Sequence, residues 1–485
     1  MVGLRATSVA RLLRGSGDLR DHILFITGHL AEPRLQAVLA GMKEPPFTYD
    51  VRNIGVKVAA LMTAEIIERR LKDVTGATRI MLPGRFKGDL DRLAASFGVP
   101  FERGPEDVKD LPWFFGRAEK TIVLERPGTR VFAEIVEAPQ LSIEGILAKA
   151  AYLVAEGADV IDLGSLPGTP FPHLEEAVQA LVAEGFTVSV DSGDPAELMR
   201  GARAGASFLL SLDERSLDLA FETDAVPIVI PAEHGELSGL KRSAERLIKA
   251  GRPFMLDPIL DPINMGFTPS LVRYHEMRQA FPEAEMLMGV GNLTELTDAD
   301  TTGITTLLMA SCVELAIRNV LVVQVSPHCR RAVRECDRSW KMLTAAHRDA
   351  TIPTGYDTSM LCLRDRLPFP NTPAEIAESA AQVTDRNYRI EAAKDGIHIY
   401  NKEGHHQAED PFDLYPALAP SLEGDAGHAF YLGVELARAQ IAFQLGKRYA
   451  QDAQLRWGCA VDTPDEDSVH QKELGATMQD RKAKR

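Results

Sequence analysis

Short apolar runs alternate with segments of helical periodicity from about Arg130 to Arg348. Apolar runs that are followed by turn residues are typical of parallel strands covered on both faces. Eight such runs predict strands, at Val131–Val136, Val160–Leu163, Thr187–Val190, Phe208–Leu212, Pro227–Ile230, Phe254–Leu256, Met286–Met288 and Val320–Val323. Eight strand–helix pairs over about 220 residues predict a (β/α)8 TIM barrel, in which the first and last strands are neighbours. An open, doubly wound sheet is the alternative, but no glycine-rich dinucleotide fingerprint follows the first strand.

Two smaller patterns flank the predicted barrel. Before it, the strand-like runs ILFITG and RIMLPG alternate with predicted helices at Val58–Leu71 and Asp89–Phe97, which indicates a small α/β domain. After it, Tyr388–Asn401 predicts a β-hairpin and His428–Arg448 an amphipathic helix, which indicates a small α+β domain. The predicted domains are an N-terminal α/β domain at 20–125, the barrel at 128–350, a C-terminal α+β domain at 375–460 and a charged, disordered tail at 461–485.

Composition and charge narrow the class of partner. The chain has 485 residues, of which 45% are hydrophobic and 25% charged, and its formal net charge is −15. These values are typical of a soluble globular protein, and the acidic balance argues against a nucleic-acid surface. No window approaches the ~18 uninterrupted apolar residues of a membrane span. We therefore expect a cytoplasmic protein with no nucleic-acid or membrane partner. The Arg-rich first 22 residues are also compatible with a transit peptide, although a frayed extension is preferred.

Cysteine and histidine positions give no sign of a metal site. The five cysteines lack CxxC spacing and predict reduced thiols; they are Cys312, Cys329, Cys336, Cys362 and Cys459. His405 and His406 stand beside Glu409 and Asp410, but an exposed polar loop is favoured over a metal cluster there. The turn PGRFKGD precedes a predicted helix and offers backbone N–H groups to an anion, although a plain turn is favoured.

Polar residues follow most of the predicted barrel strands, at the ends where barrels of this kind bind ligands. Asp257 ends the run FML and precedes a loop rich in Pro, so a ligand contact and a loop cap are both open for it. The other strand ends carry Glu134, Glu137, Asp162, Asp191, Ser211, Asp213, Asp261, Asn292, Gln324, Ser326, His328 and Arg330. Helix capping explains any one of these residues, but their convergence from seven strands on one rim indicates a ligand site.

Several of these segments resemble the pterin-binding enzymes, namely the dihydropteroate synthases and the methyltetrahydrofolate-dependent corrinoid methyltransferases. They are GADVIDLGS at 157–165, VSVDS at 188–192 and FMLDPI at 254–259. MGVGNLTEL at 288–296, DADTTG at 298–303 and the HAFYLGVELA helix further resemble the dihydropteroate synthase-like proteins of archaea and methylotrophic bacteria. The resemblance covers nearly the whole chain and implies a TIM barrel that binds a reduced pterin.

The resemblance also implies roles for individual residues. A pterin presents an amino group and a ring N–H on its pyrimidine edge, and Asp257 and Asp191 match the family's carboxylates that accept from this ring. Asn292 stands where synthases carry Lys and where methyltransferases carry an Asn that contacts the ring. His328 and Arg330 replace an Arg-x-His pattern and would hold an anion. The implied pterin-binding set is Asp162, Asp191, Ser211, Asp257, Asp261 and Asn292, and the implied catalytic set is Asn292, His328 and Arg330.

The chain departs from the synthases at three loops. VEAPQLS and SLPGTPFP lack the Asn and Arg with which synthases anchor a leaving diphosphate, and LSLDE replaces an Asn-Asp pair. The expected function is still a dihydropteroate synthase-like transferase that joins a reduced pterin to an arylamine, in making a tetrahydromethanopterin- or folate-type coenzyme. No tightly bound cofactor is expected, and Mg²⁺ would assist if the leaving group is diphosphate. The alternatives are pterin-dependent methyl transfer with a corrinoid protein, and a non-catalytic pterin-binding scaffold. A homodimer is a further candidate assembly.

Overall fold

The computed structural model describes residues 21–462, except 30, 43–44, 46, 57–61, 85, 87, 106–107, 119–121 and 166–168. The chain divides into two compact units, Met1–Thr121 and Ile122–Arg485. The expectations for the Arg-rich start, for the basic residues of PGRFKGD and for most of the charged tail fall outside the described residues. No described helix is long and apolar enough to cross a membrane.

The first unit is a small parallel sheet with helices between its strands. Its elements are β1 (His22–Thr27), α1 (Glu32–Gly41), β2 (Thr48–Asn53), α2 (Ala64–Arg70), β3 (Arg79–Leu82), α3 (Leu90–Phe97), β4 (Phe101–Arg103) and α4 (Leu111–Ala118). The strand order is β2-β1-β3-β4, and every pair is parallel. Successive residues of β1 point to opposite faces, so Ile23 and Phe25 join one apolar cluster while Leu24 and Ile26 join another. Both faces of this sheet are therefore buried, as a run such as ILFITG predicts.

The second unit contains a closed barrel of eight parallel strands. They are β5 (Arg130–Ile135), β6 (Val160–Gly164), β7 (Val188–Asp191), β8 (Phe208–Leu212), β9 (Val226–Val229), β10 (Met255–Leu256), β11 (Glu285–Gly289) and β12 (Asn319–Val322). The last strand pairs with the first, with Val320 opposite Val131. The prediction of a (β/α)8 barrel is confirmed, and the open sheet is excluded.

Most barrel strands are followed by a helix that packs on the outside. These helices are α5 (Ile143–Glu156), α6 (Leu174–Ala183), α7 (Pro195–Ala204), α8 (Leu237–Lys249), α9 (Phe267–Ala280), the single turn α10 (Gly291–Thr294), α11 (Thr301–Glu314) and α12 (Ala332–Arg348). Between β8 and β9 the chain forms only a 3-10 turn, Leu217–Phe221. Local chemistry fixes several ends: the Ser142 hydroxyl accepts from the N–H of Gly145 to begin α5, and Gly157 ends α5 with a φ of 116°.

A buried arginine, Arg126, joins several elements at the amino-terminal end of the barrel by hydrogen bonds. Arg126 donates to Asp337 Oδ1 at 2.8 Å, to Asp159 Oδ2 at 2.6 Å and to the carbonyl of Gly157 at 2.7 Å. Asp159 precedes β6 and also accepts from the N–H of Val131, whereas Asp337 lies on α12. The side chain of Arg126 is 9% exposed. The network therefore joins the first two strands of the barrel to its last helix.

The remaining elements of the second unit form an antiparallel sheet with three helices. They are α13 (Pro373–Ala381), β13 (Arg389–Ala393), β14 (Gly396–Asn401), β15 (Gly404–Ala408), α14 (Pro411–Leu422) and α15 (Ala426–Leu445). The predicted hairpin is confirmed as β13 and β14. The segment around His405 and His406 was predicted to be an exposed polar loop. Backbone pairing with β14 makes it the edge strand β15 instead of a loop, while His405 is exposed as predicted. All five cysteines are buried free thiols, and the Sγ atoms of Cys362 and Cys459 lie 3.8 Å apart.

Candidate active site at the carboxyl ends of the barrel strands

The register of β5, β6 and β7 places several carboxylates close together inside the barrel. An apolar layer fills the interior, formed by Phe132, Val160, Phe208, Leu210, Ile228, Met255 and Leu287. Side chains alternate along a strand, so Glu134 and Asp162 point inward one step further towards the carboxyl ends. Glu134 pairs with Asp162 across β5 and β6, and Gly164 pairs with Asp191 across β6 and β7. The acidic residues thus form a layer directly above the apolar one.

Three of these residues form a tight acidic cluster. Carboxylate oxygens of Glu134, Asp162 and Asp191 all lie within 4.8 Å of one another. Asp162 is fully buried, and neither of its oxygens has a hydrogen-bond partner among the described residues. A Cβ at Gly164 would lie 2.4 Å from Glu134 Oε1, so glycine is needed there for the Glu134 carboxylate to fit. The cluster is therefore built into the strands rather than formed by mobile surface side chains.

Burial and mutual repulsion raise the pKa values of this acidic layer. Burial raises the pKa of Asp162 well above its usual range, and the charges of Asp191 and Glu134 raise it further. The Ser189 hydroxyl opposes this shift but does not reach hydrogen-bond geometry with Asp162. Burial, followed by the charges of Glu134 and Asp257, raises the pKa of Asp191 to about 7. A ligand that brings hydrogen-bond donors or positive charge would relieve this repulsion.

Asp257 lies immediately after β10 and is held by one of its two oxygens. Its Oδ1 accepts from the hydroxyl of Tyr274 at 2.6 Å and from the N–H of Ile259 at 2.8 Å. No partner for Oδ2 occurs in the part of the chain that the structure describes. Burial raises the pKa of Asp257 to about 6, while Tyr274, the Ile259 N–H and Arg273 lower it. Asp257 is thus oriented by the protein with one acceptor atom left for a ligand.

The loop after Asp257 has a strained backbone and is held in place by hydrogen bonds from Arg273. Ile259 has a φ of 68°, a conformation that is rare for a β-branched residue and costs on the order of 1–3 kcal/mol. Arg273 holds this loop by donating to the carbonyls of Pro258 and Ile259 and to Asp261 Oδ2 at 2.8 Å. Asp261 is 2% exposed and also lies 3.5 Å from His234 Nε2. The structure therefore gives Asp261 a supporting contact, and its role as a pterin ligand stays a prediction.

Asn292 and Ser211 lie at the ends of β11 and β8. Asn292 is exposed on the single turn α10, rather than at the end of the strand itself, because the chain turns helical at Gly291. Its Nδ2 donates to the carbonyl of Leu260 at 2.9 Å, which ties it to the loop that follows Asp257. Ser211 is half-buried within β8. Both residues belong to the same end of the barrel as Asp257.

The loop after β12 offers fewer donors to an anion than its sequence predicts. The N–H groups of Val325 and Ser326 both donate to the carboxylate of Glu295, at 2.8 and 2.9 Å. His328 Nε2 lies 3.2 Å from the carbonyl of Thr294, so this nitrogen acts as a donor to it. His328 and Arg330 are both exposed. An anion at this loop would thus be held by their side chains, and their catalytic role remains a prediction.

Sequence patterns did not reveal the residues that support Asp257. Tyr274 and Arg273 lie on α9, 17 and 16 residues after Asp257, and no motif links these positions. Glu295 was also missed, since its contacts depend on how α10 packs against the loop after β12. Glu134 was recognised only as one of many strand-end residues. Its part in the cluster follows from strand register, which the sequence alone does not fix.

The raised pKa of Asp257 gives a testable pH dependence of stability. Its pKa is about 6 in the folded protein and 3.8 in its ordinary state, so the folded protein binds more protons between these values. Stability from this group is present below pH ~4 and is lost as the pH rises through 6. Asp257→Asn removes this pH-dependent loss of stability. We therefore expect the Tm of the variant minus the Tm of the wild type to be larger at pH 8 than at pH 4.5. Differential scanning fluorimetry at both pH values measures this, and an equal Tm difference at both would contradict it.

Parts of this chain are similar to known proteins. Residues 21–106 match DUF6513, a family of unknown function. The uncharacterized protein MJ0107 of Methanocaldococcus jannaschii is 24% identical over 526 residues, with 89% of this chain and 98% of that protein covered. Among solved structures, the chain is similar to dihydropteroate synthases. That from Thermus thermophilus, in complex with 6HMPPP, is 21% identical with a TM-score of 0.35, over 47% of this chain and 96% of that one. That from Yersinia pestis is 18% identical with a TM-score of 0.35, over 46% and 94% of the two chains.

Proposed function

We propose that the protein is a transferase that binds a reduced pterin in the barrel mouth and joins its exocyclic methylene carbon to the nitrogen of an arylamine. The observation that carries the proposal is Asp257, which is buried and fixed through Oδ1 while its Oδ2 has no partner among the described residues. The motif resemblance around Asp191 and Asp257 supports the same substrate. A tetrahydromethanopterin- or folate-type coenzyme is the product class that this reaction serves.

The hydrogen-bonding capacity of Asp257 suits one edge of a pterin. A carboxylate oxygen accepts about two hydrogen bonds, and Oδ1 already accepts two from Tyr274 and Ile259. The ring N–H and the amino group of the pterin would therefore both donate to Oδ2, and Asp191 would be a second acceptor from the neighbouring side. The low dielectric of the buried site strengthens these hydrogen bonds. A ligand without adjacent N–H donors would leave Asp257 unpaired, which disfavours it.

The reaction breaks one bond and forms one. The amine nitrogen attacks the methylene carbon, and the carbon–oxygen bond to the leaving diphosphate breaks, with the electron pair going to that oxygen. The amine then loses a proton to a rim carboxylate or to water. The protein contributes by holding the two reacting atoms together and by stabilising the charge of the leaving group. The exposed side chains of His328 and Arg330 are the candidates for that second task.

The test is turnover with defined substrates. Purified full-length protein would be incubated with a dihydropterin diphosphate, an arylamine and Mg²⁺, and products would be followed by mass spectrometry together with diphosphate release. Formation of the coupled product supports the proposal. Pterin binding without any product would instead support the scaffold, and methyl transfer that depends on a corrinoid protein would support the methyltransferase.

The second candidate, methyl transfer to or from a reduced pterin, rests on Asn292. Its Nδ2 donates one of two N–H groups to the carbonyl of Leu260, so the second N–H and the amide oxygen remain to contact a ring nitrogen whose protonation changes. In either reaction we expect Asn292→Ala to lower turnover about tenfold, since one lost hydrogen bond is worth about 1–1.5 kcal/mol, with a smaller effect on pterin affinity. We also expect that Asn292→Lys does not restore turnover.

Single-turnover rates and pterin binding would be measured on the same preparations, with pterin diphosphate and a corrinoid protein supplied separately. Asp298→Ala is the matched control, because Asp298 is an exposed residue of the segment that follows α10. Wild-type rates for Asn292→Ala with both co-substrates would leave Asn292 as a turn residue that only binds the Leu260 carbonyl.

A further inference from the structure

The carboxylate of Asp162 has no ion-pair or hydrogen-bond partner in the described part of the chain. Both of its oxygens are buried without a hydrogen-bond partner, and its exposure is 0%. A buried polar group in this state costs free energy unless a ligand, water or ion completes it. No ion pair among the described residues involves Glu134, Asp162 or Asp191, and Arg273 is engaged by Asp261 and the loop carbonyls. The described residues therefore supply no partner for the Asp162 carboxylate.

We infer that Glu134, Asp162 and Asp191 bind one divalent cation of the Mg²⁺, Mn²⁺ or Ca²⁺ class at the carboxyl ends of β5, β6 and β7. One oxygen of each lies within 4.8 Å of the other two, so the second oxygen of Asp191 stays available to the pterin. Ligands on opposite sides of a cation are about 4.2 Å apart for Mg²⁺ and about 4.8 Å apart for Ca²⁺. All three ligands are hard carboxylate oxygens, whereas Zn²⁺ and Cu²⁺ sites favour nitrogen and sulfur.

The backbone supports this site. The three ligands come from neighbouring parallel strands, so their spacing is set by hydrogen-bonded register rather than by loop conformation. Gly164 leaves the space that Glu134 Oε1 occupies, since a Cβ there would lie 2.4 Å away. Asp162 is enclosed, whereas Glu134 and Asp191 are partly exposed. The remaining coordination positions of the cation thus face the mouth of the barrel.

Such a cation would place positive charge at the acidic layer itself, whereas His328 and Arg330 lie on the loop after β12. The backbone donors of Val325 and Ser326 are occupied by Glu295, and the acidic layer would repel an anionic group. A divalent cation bound above Asp162 would instead attract the anionic leaving group of the pterin substrate, a role that rests on the proposed function. Binding of the cation itself does not depend on that function.

The test uses Mn²⁺ as the probe and full-length protein stripped with a chelator. Free Mn²⁺ would be followed by electron paramagnetic resonance, without pterin, and Mg²⁺ and Ca²⁺ would be added as competitors. We expect one saturable Mn²⁺ per chain in the wild type, and affinity at least tenfold lower in Asp162→Asn and in Glu134→Gln. Glu144→Gln is the matched control, because Glu144 is an exposed residue in the first turn of α5, the helix that follows the same strand.

Two outcomes would overturn the site: no saturable Mn²⁺ in the wild type, or wild-type affinity in both Asp162→Asn and Glu134→Gln. Circular dichroism checks that each variant is folded, and the partly exposed Glu134 provides a second variant if Asp162→Asn does not fold. Pterin titration on the same metal-free preparations separates the two proposals. Pterin binding without a Mn²⁺ site would overturn only the cation, and Mn²⁺ binding without pterin binding or turnover would overturn only the proposed function.

Discussion

Asp257→Asn is expected to bind a reduced pterin about tenfold to over a hundredfold more weakly than the wild type. The donors of Tyr274 and Ile259 both point at Oδ1, so the amide oxygen of asparagine takes that position. Its NH2 group then lies where Oδ2 was and faces the N–H groups of the pterin. Two donors that meet in a buried site cost on the order of 1–3 kcal/mol, which gives this loss of affinity. Isothermal titration calorimetry at pH 8, above the Asp257 pKa of about 6, measures it.

Two further variants serve as comparisons for Asp257→Asn in this experiment. Tyr274→Phe removes one of the donors that orient Asp257, so we expect a smaller loss of affinity with the carboxylate still present. Asp218→Asn is the matched control, because Asp218 is 77% exposed and is paired with Arg246 on the surface of the barrel. If Asp257→Asn and wild type bound the pterin equally, Asp257 would be a loop cap and the proposed binding mode would be wrong.

Arg126→Met is expected to lower the free energy of unfolding of the second unit by about 2–3 kcal/mol. Methionine keeps much of the side-chain length but leaves Asp337 and Asp159 without the guanidinium that bridges them. Asp337 stays buried and keeps Lys341 at 2.7 Å as a cationic partner, whereas Asp159 is 38% exposed. The cost of removing the guanidinium therefore falls mainly on Asp337. Urea unfolding followed by tryptophan fluorescence measures this, since Trp340 and Trp457 both lie in the second unit.

The control for this prediction is an exposed ion pair of similar chemistry. Arg242 is 59% exposed and pairs with Glu214 on the surface of the second unit. Pairs of this kind contribute about 0–1 kcal/mol, so Arg242→Met should change stability little. If Arg126→Met were no more destabilising than Arg242→Met, the network at the amino-terminal end of the barrel would not contribute to its closure.

The barrel was predictable because its signals are local. Buried parallel strands appear as short apolar runs, and this pattern located all eight strands to within one residue at each end. The edge strand β15 was not predictable from GHHQA, because polar residues on an exposed edge carry no apolar alternation. The missing helix between β8 and β9 is a similar case, since the segment around Leu217 has apolar residues but forms only a 3-10 turn.

The candidate site was predictable in part. Asp162, Asp191 and Asp257 follow apolar runs, and a closed barrel brings the ends of those runs together. The supporting contacts were not predictable, because Tyr274 reaches Asp257 from α9 and Glu295 reaches the loop after β12 from α10. These contacts depend on how helices pack against the sheet, and nothing in the local sequence records that packing.

The apolar layer beneath the carboxylates also determines the order in which ligands come and go. Phe132, Val160, Ile228, Met255 and Leu287 are at most 2% exposed and fill the barrel below Asp162. A ligand therefore reaches the carboxylates only through the mouth at the carboxyl ends of the strands. The compound that lies deepest enters first and leaves last, so in the proposed reaction the pterin would bind before the arylamine. An excess of arylamine would then slow the escape of bound pterin instead of competing with it.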